Sequence, residues 1–164
     1  MTEMFKYKRN MGFGLIEIIV GATIISVSFF VLLGVTRNAL VLSRETSRSI
    51  RAAFLMEEGL EAVRILRDRS WATEIASLTV DTEYNLYFNG TTWVSTTTPE
   101  VIDGIFTRTF VVRNVNRDAS DDIAETGTLD PGTRKIEVDV AWTSARGNQK
   151  SESASTYLTN FTNE

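Results

Sequence analysis

A carboxylate at the mouth of a membrane-length apolar run constrains this chain more than any other feature. Glu17 is followed by Ile18 to Gly34, which hold no ionisable side chain. With Phe13 to Glu17 in front and Val35 behind, the stretch is long enough, at about 1.5 Å per residue, to cross a hydrocarbon core of about 30 Å. An acidic residue costs roughly 2.5 to 3.5 kcal/mol at the centre of a membrane helix and less near its end, so Glu17 reads as a functional residue that needs a cation. A cleaved secretory signal would be shorter, and Gly34-Val35-Thr36-Arg37 is a poor site for its removal. Lys6, Lys8 and Arg9 precede the run, which predicts a cytoplasmic N-terminus and export of the remainder, while Arg37, Arg44, Arg48 and Arg51 after it weaken the asymmetry.

The 164 residues leave room after the apolar run for one small domain. The sequence contains neither Cys nor His. Disulfides and thiolate metal sites are therefore excluded, and so are the usual general base near neutral pH and the usual pH switch. Lys135 and Lys150 have no Ser-Lys context, and neither a phosphate-binding Gly-Lys loop nor a dinucleotide fingerprint occurs. These absences argue for a structural protein, not an enzyme, and imply no cofactor. Residues 1–12 hold three basic side chains against Glu3, so the rest of the chain carries −6 of the net −4. A mildly acidic protein of this kind is not built as a general nucleic-acid binder, and no specific nucleic-acid partner is expected.

The residues around Glu17 also carry a resemblance. Gly12-Phe13-Gly14-Leu15-Ile16-Glu17 after a short basic leader resembles the processing motif of type IV pilins and type II secretion pseudopilins. In that family the leader ends in Gly, the next residue is usually Phe, and Glu is the fifth residue of the mature chain; the motif departs here only at Gly14, where Thr is more usual. The resemblance implies cleavage after Gly12 by a prepilin peptidase, N-methylation of Phe13, and a charge pair in the filament between Glu17 and the N-terminal amine of a neighbouring subunit. Such a pair compensates the buried carboxylate and selects one axial register. The implied partners are the peptidase, other pilin or pseudopilin subunits, an inner-membrane assembly platform with its ATPase, and membrane lipid. The implied location is the bacterial cytoplasmic membrane, single-pass, and then a filament.

Beyond the run the helical pattern changes character. From Arg37 to about Ser70 there is no Pro, and Ala52/Ala53, Leu55/Met56, Gly59/Leu60, Ala62/Val63 and Leu66 recur at three- and four-residue spacing. Glu57, Glu58, Glu61, Arg64 and Asp68 occupy the other side, with Arg64 to Asp68 expected as an i,i+4 pair. One helix from about Phe13 to Arg69 is expected, and its apolar stripe needs a cover, most economically a sheet from the same chain. Ala53 to Trp71 is similar to the matching segment of pilin-like proteins and, more loosely, to minor pilins and second-tier pseudopilins, which points to a minor subunit. The Pro common within that family's helix is missing here, so its kink is not carried over.

From Thr73 onward the chain reads as β structure. Asn89-Gly90 between Tyr84–Phe88 and Thr91–Ser95 predicts a two-residue type I′ hairpin. Ile105 to Val115, the alternating Ile136 to Trp142, and Ser151 to Leu158 supply further strands, with Ala145 to Asn148 as a turn. The expected class is α+β: a long N-terminal helix, membrane-spanning in its first half and amphipathic in its second, on a small antiparallel sheet of four or five strands. Its segments are a leader (1–12), a transmembrane or assembly helix (13–36), an amphipathic helix (37–70) and an exported β domain (71–164) with an acidic loop (116–132). In that loop Asp118, Asp121, Asp122 and Glu125 are calcium candidates by ligand type, set against a solvated loop, because their spacing is not that of an EF-hand. The competing functional reading is a single-pass anchored binding or sensory domain that never polymerises.

Overall fold

The computed structural model describes residues 12–161. Lys6, Lys8 and Arg9 of the leader lie outside them. Helix α1 runs Gly12–Arg69 as one element, and the chain divides between Ser43 and Arg44 into two compact units. In the first unit the apolar side chains of α1 are exposed, Leu15, Ile18, Ile25 and Phe30 among them. The hydroxyls of its apolar stretch are satisfied within the helix: Thr23, Ser26, Ser28 and Thr36 donate to the carbonyls of Ile19, Ala22, Ile24 and Leu32 at 2.7–2.9 Å. A hydroxyl bonded to its own backbone can be carried through an apolar medium.

In the second unit α1 lies on an antiparallel sheet. The strands are β1 (Glu83–Phe88), β2 (Trp93–Thr96), β3 (Val101–Ile102), β4 (Phe106–Arg117), β5 (Ile123–Ala124), β6 (Thr128–Thr143) and β7 (Gln149–Thr159). Their order is β2-β1-β4-β6-β7, with β3 and β5 paired to β4. The architecture is the expected α+β class. The sheet has seven strands where four or five were expected, because β3 and β5 are only two residues long and leave no periodicity to read. β7 forms one edge, with Ser151, Ser153 and Ser155 exposed along it.

The core follows from two periods meeting. Ala52, Leu55, Gly59, Ala62, Val63 and Leu66 are the buried positions of α1, spaced three and four apart. The alternate residues Phe106, Phe110, Val112, Ile136, Val138, Val140 and Trp142 are the buried apolar positions that face it from β4 and β6, with Arg108 in the same alternation. Trp71 is buried at the corner, where α1 gives way to a π-helical turn, Ala72–Ala76. Thr73 thus belongs to a helical turn and not to β structure, which begins at Glu83. The expected Arg64–Asp68 pair is not formed: Arg64 reaches back to Glu61 at 3.0 Å and Asp68 takes Arg67 at 2.8 Å.

Two turns differ from the sequence reading. The β1–β2 connection has four residues, because Phe88 pairs with Trp93. Asn89 Oδ1 accepts the amides of Thr91 and Thr92, both at 3.0 Å, and only Gly90 has a positive φ (92°), whereas a type I′ turn needs two such residues. The segment read as the acidic loop 116–132 is largely strand: Val115, Asn116 and Arg117 pair with Asp130, Leu129 and Thr128, leaving 118–127 as the connection. An irregularity at Asn114/Val115 displaces Pro131 to Thr133 from the ladder, so Pro131 and Gly132 sit within β6 and do not end it. Gly127 closes the loop at φ 150°, where a Cβ would come within 2.1 Å of the Arg117 carbonyl oxygen.

Gly59 sets the helix–sheet separation. A Cβ there would stand 2.9 Å from Val138 Cγ1 and 3.0 Å from Arg108 Cδ. Gly59→Ala raises helix propensity by about 1 kcal/mol but overpacks the contact, which costs about 1–3 kcal/mol. The expected outcome is a lower denaturant midpoint, read by circular dichroism; a midpoint equal to or above the parent would show that the helix can move away freely.

Candidate functional site

Gly12 and Phe13 open α1 as helical backbone, and Glu17 lies four residues after Phe13, one helical turn on. The Glu17 side chain is exposed, and no described basic residue forms an ion pair with it. The motif residues therefore sit together at the head of an apolar surface. The stretch that follows is long and apolar enough to cross a membrane. A Cβ at Gly14, Gly21 or Gly34 would meet nothing within 4 Å, so this surface is open at all three glycines.

The four calcium candidates do not converge. Asp118 Oδ1 accepts the amides of Ser120 and Asp122 at 2.8 and 3.0 Å, folding the loop onto itself. Asp121 faces the Arg117 guanidinium at 3.7 Å, and Arg117 also donates to the Asp121 carbonyl at 2.7 Å. Glu125 contributes its backbone carbonyl to Asn116 Nδ2 at 3.2 Å. The cation of this loop is Arg117, whose Nε lies 2.7 Å from Asp130 Oδ2. That hydrogen bond, followed by one from Thr133, holds the Asp130 carboxyl below its ordinary range. Among the described residues no group of three or more acidic side chains is placed to hold a metal ion.

Two arrangements that sequence reading missed fix the second unit. Arg108 points to the buried face of β4, donating to the Leu55 carbonyl at 3.2 Å and to Glu58 Oε2 at 2.9 Å, with its guanidinium 5.0 Å from the Trp93 ring centroid. Its parity with Phe106 and Phe110 is the signal that would have found it. At the start of the unit, Glu45 receives the Ala145 amide at 3.0 Å and Lys150 Nζ at 2.7 Å, while Arg48 donates to the Thr143 carbonyl at 2.7 Å. These bonds clamp the β6–β7 turn to α1 across about 100 residues of sequence, a separation at which no local pattern speaks.

The clamp titrates. Lys150 and then the Ala145 amide lower the Glu45 pKa from its ordinary 4.5. A carboxylate with a lower pKa folded than unfolded stabilises the fold above its unfolded pKa, and that contribution drains away as the pH falls through the folded value. Hydrogen exchange at the Ala145 amide should therefore be protected at neutral pH, lose protection as the pH falls below the ordinary carboxylate value of 4.5 and through the lowered folded one, and be unprotected throughout in Glu45→Ala. Protection that ignores pH and the substitution alike would remove Glu45 from the clamp. Comparison of the chain with protein-family models, with curated proteins and with solved structures finds no match.

Proposed function

We propose that this chain is a type IV pilin-like structural subunit, of the minor kind, processed after Gly12 and assembled into a pilus or pseudopilus through the first part of α1. The observation that carries the reading is Glu17: a lone carboxylate one turn into an exposed apolar helix, directly after Gly12-Phe13 and a basic leader. Cleavage after Gly12 frees an amine at Phe13, and that amine on a neighbouring subunit is the cation Glu17 lacks within its own described chain. An unpaired carboxylate among apolar side chains is costly, so pairing on assembly both drives and registers the contact. The exposed apolar side chains of the same stretch have two covers available in this reading, lipid before assembly and other subunits after it.

The supporting architecture is the α+β domain, in which the continuation of α1 is amphipathic and covered by its own sheet. That division of labour leaves the apolar stretch as the part of α1 that partners must bury. Prepilin peptidase, fellow subunits and an assembly platform with its ATPase follow as partners. Among the described residues Glu17 has no ion-pair partner of its own, which fits a pairing role between subunits.

Mass spectrometry of the N-terminal peptide from protein recovered in its native host, with and without the prepilin peptidase, tests the reading. A peptide that starts at Phe13, carries a methylated amine and disappears without the peptidase is the expected result. An intact leader running through Gly12 would overturn it in favour of an anchored domain that does not polymerise. Glu17→Ala should insert and be processed normally yet enter filaments at least about tenfold less well, an effect of about 1.4 kcal/mol; unaltered incorporation would remove the charge pair from the mechanism.

A further inference from the structure

The basic residues that follow the apolar run are unexplained by assembly, and they oppose the orientation that Lys6, Lys8 and Arg9 favour. The structure sorts those of the second unit. Lys150 is neutralised by Glu45, and Arg51 by Asp103 at 2.9 Å. Arg48 spends one donor on the Thr143 carbonyl and keeps its charge. Arg44 and Arg146 are exposed, and among the described residues neither guanidinium has a carboxylate partner. They flank the bonded pair Glu45–Ala145 in the chain, so the clamp that ties the β6–β7 turn to α1 holds both at the end of the unit where the helix enters it.

Charge is segregated on a larger scale as well. Residues 52–143 contain sixteen acidic side chains against eight basic ones, whereas residues 44–51 and 144–150 contain five basic ones against Glu45 alone. Glu152, which forms no ion pair among the described residues, accepts Ser49 Oγ at 2.8 Å. Arg44 follows Val35, the last residue of the apolar run, by nine positions. Nine residues reach at most roughly 30 Å even fully extended, which bounds the distance between this positive end and the apolar run.

We infer that Arg44 and Arg146, with Arg48 behind them, form a seat for anionic phospholipid head groups on the exported side of the membrane. The inference rests on the reading that the apolar stretch of α1 is membrane-inserted. Anionic lipid attracts each juxtamembrane cation by an amount equivalent to roughly fivefold in affinity, and the effect fades beyond a Debye length of about 10 Å at 0.1 M salt. The acidic remainder of the unit is repelled from the same surface, which orients the domain with the β6–β7 turn toward lipid. The interaction uses charge and not fork geometry, so Lys serves in place of Arg.

The chain has no Cys, so Asn148→Cys provides a unique labelling site on the β6–β7 turn. The full chain carrying a fluorophore there is reconstituted into nanodiscs of phosphatidylcholine with a head-group quencher, with or without phosphatidylglycerol. Quenching should rise with phosphatidylglycerol, fall with added salt, and lose roughly 25-fold in lipid preference in the Arg44→Gln/Arg146→Gln double variant, while Arg44→Lys/Arg146→Lys retains it. Equal quenching in both lipids, or a double Gln variant that behaves as the parent, overturns the head-group seat while leaving insertion intact. A chain that fails to co-elute with discs of either composition overturns the insertion reading itself, and the seat with it.

Discussion

The closeness of α1 to its sheet at Gly59 is the constraint on which the second unit depends. A helix normally stands off a sheet by the thickness of its side chains; here one position carries none, and Val138 and the Arg108 stem fill the space against bare backbone. That approach brings the Leu55 carbonyl and Glu58 within reach of a guanidinium rooted on the buried face of β4. Arg108 is 4% exposed, and burying such a charge is tolerable only because Glu58, the helix carbonyl and the Trp93 ring surround it. The small and large core clusters meet the helix on either side of this point, one around Trp142 and Phe106, the other around Phe110 and Leu66. Gly59, Arg108 and Glu58 therefore act as one device that fixes how helix and sheet are aligned.

The helix itself is written for two solvents. In its first unit the apolar residues run all round and the few hydroxyls turn inward to their own carbonyls. In its second unit a stripe three and four apart is buried, and the acids Glu57 and Glu61 face out. A single element can carry both patterns because backbone hydrogen bonding in a helix is local and indifferent to what surrounds it. The change from one pattern to the other falls close to the unit boundary at Ser43/Arg44.

Most of this could be read from the sequence where a single period ran uninterrupted. The apolar run, the stripe from Ala52 to Leu66 and the alternation from Ile136 to Trp142 stand in the structure where periodicity places them. Failures cluster where side chains or irregular backbone override local preference. Asn89 spent its side-chain carbonyl on two amides and lengthened a hairpin; three residues of β6, Pro131 to Thr133, drop out of its pairing with β4 and made a strand resemble a loop. Arg108 was hidden because a charged residue in an apolar alternation reads as an interruption and not as a core member. The Glu45 clamp was hidden because its partners are distant in sequence. The acidic loop misled by composition: Asp118 spends its carboxylate on backbone amides, and Asp121 and Asp130 face Arg117.

One consequence of the sheet order concerns selectivity among self-contacts. β7 ends the sheet, and its eleven residues leave one side of the strand without a neighbour, a template on which copies of the chain could pair indiscriminately. Of its exposed residues Gln149, Lys150, Ser151, Glu152, Ser153 and Ser155 gain nothing by leaving water, and Tyr157 is the one large apolar side chain among them. The chain therefore displays a long apolar surface and a long strand edge at once, yet only the first rewards contact. Whatever comes to cover the helix meets little competition from a strand edge that is mostly polar, and the sheet can stay solvated while the helix makes the contacts.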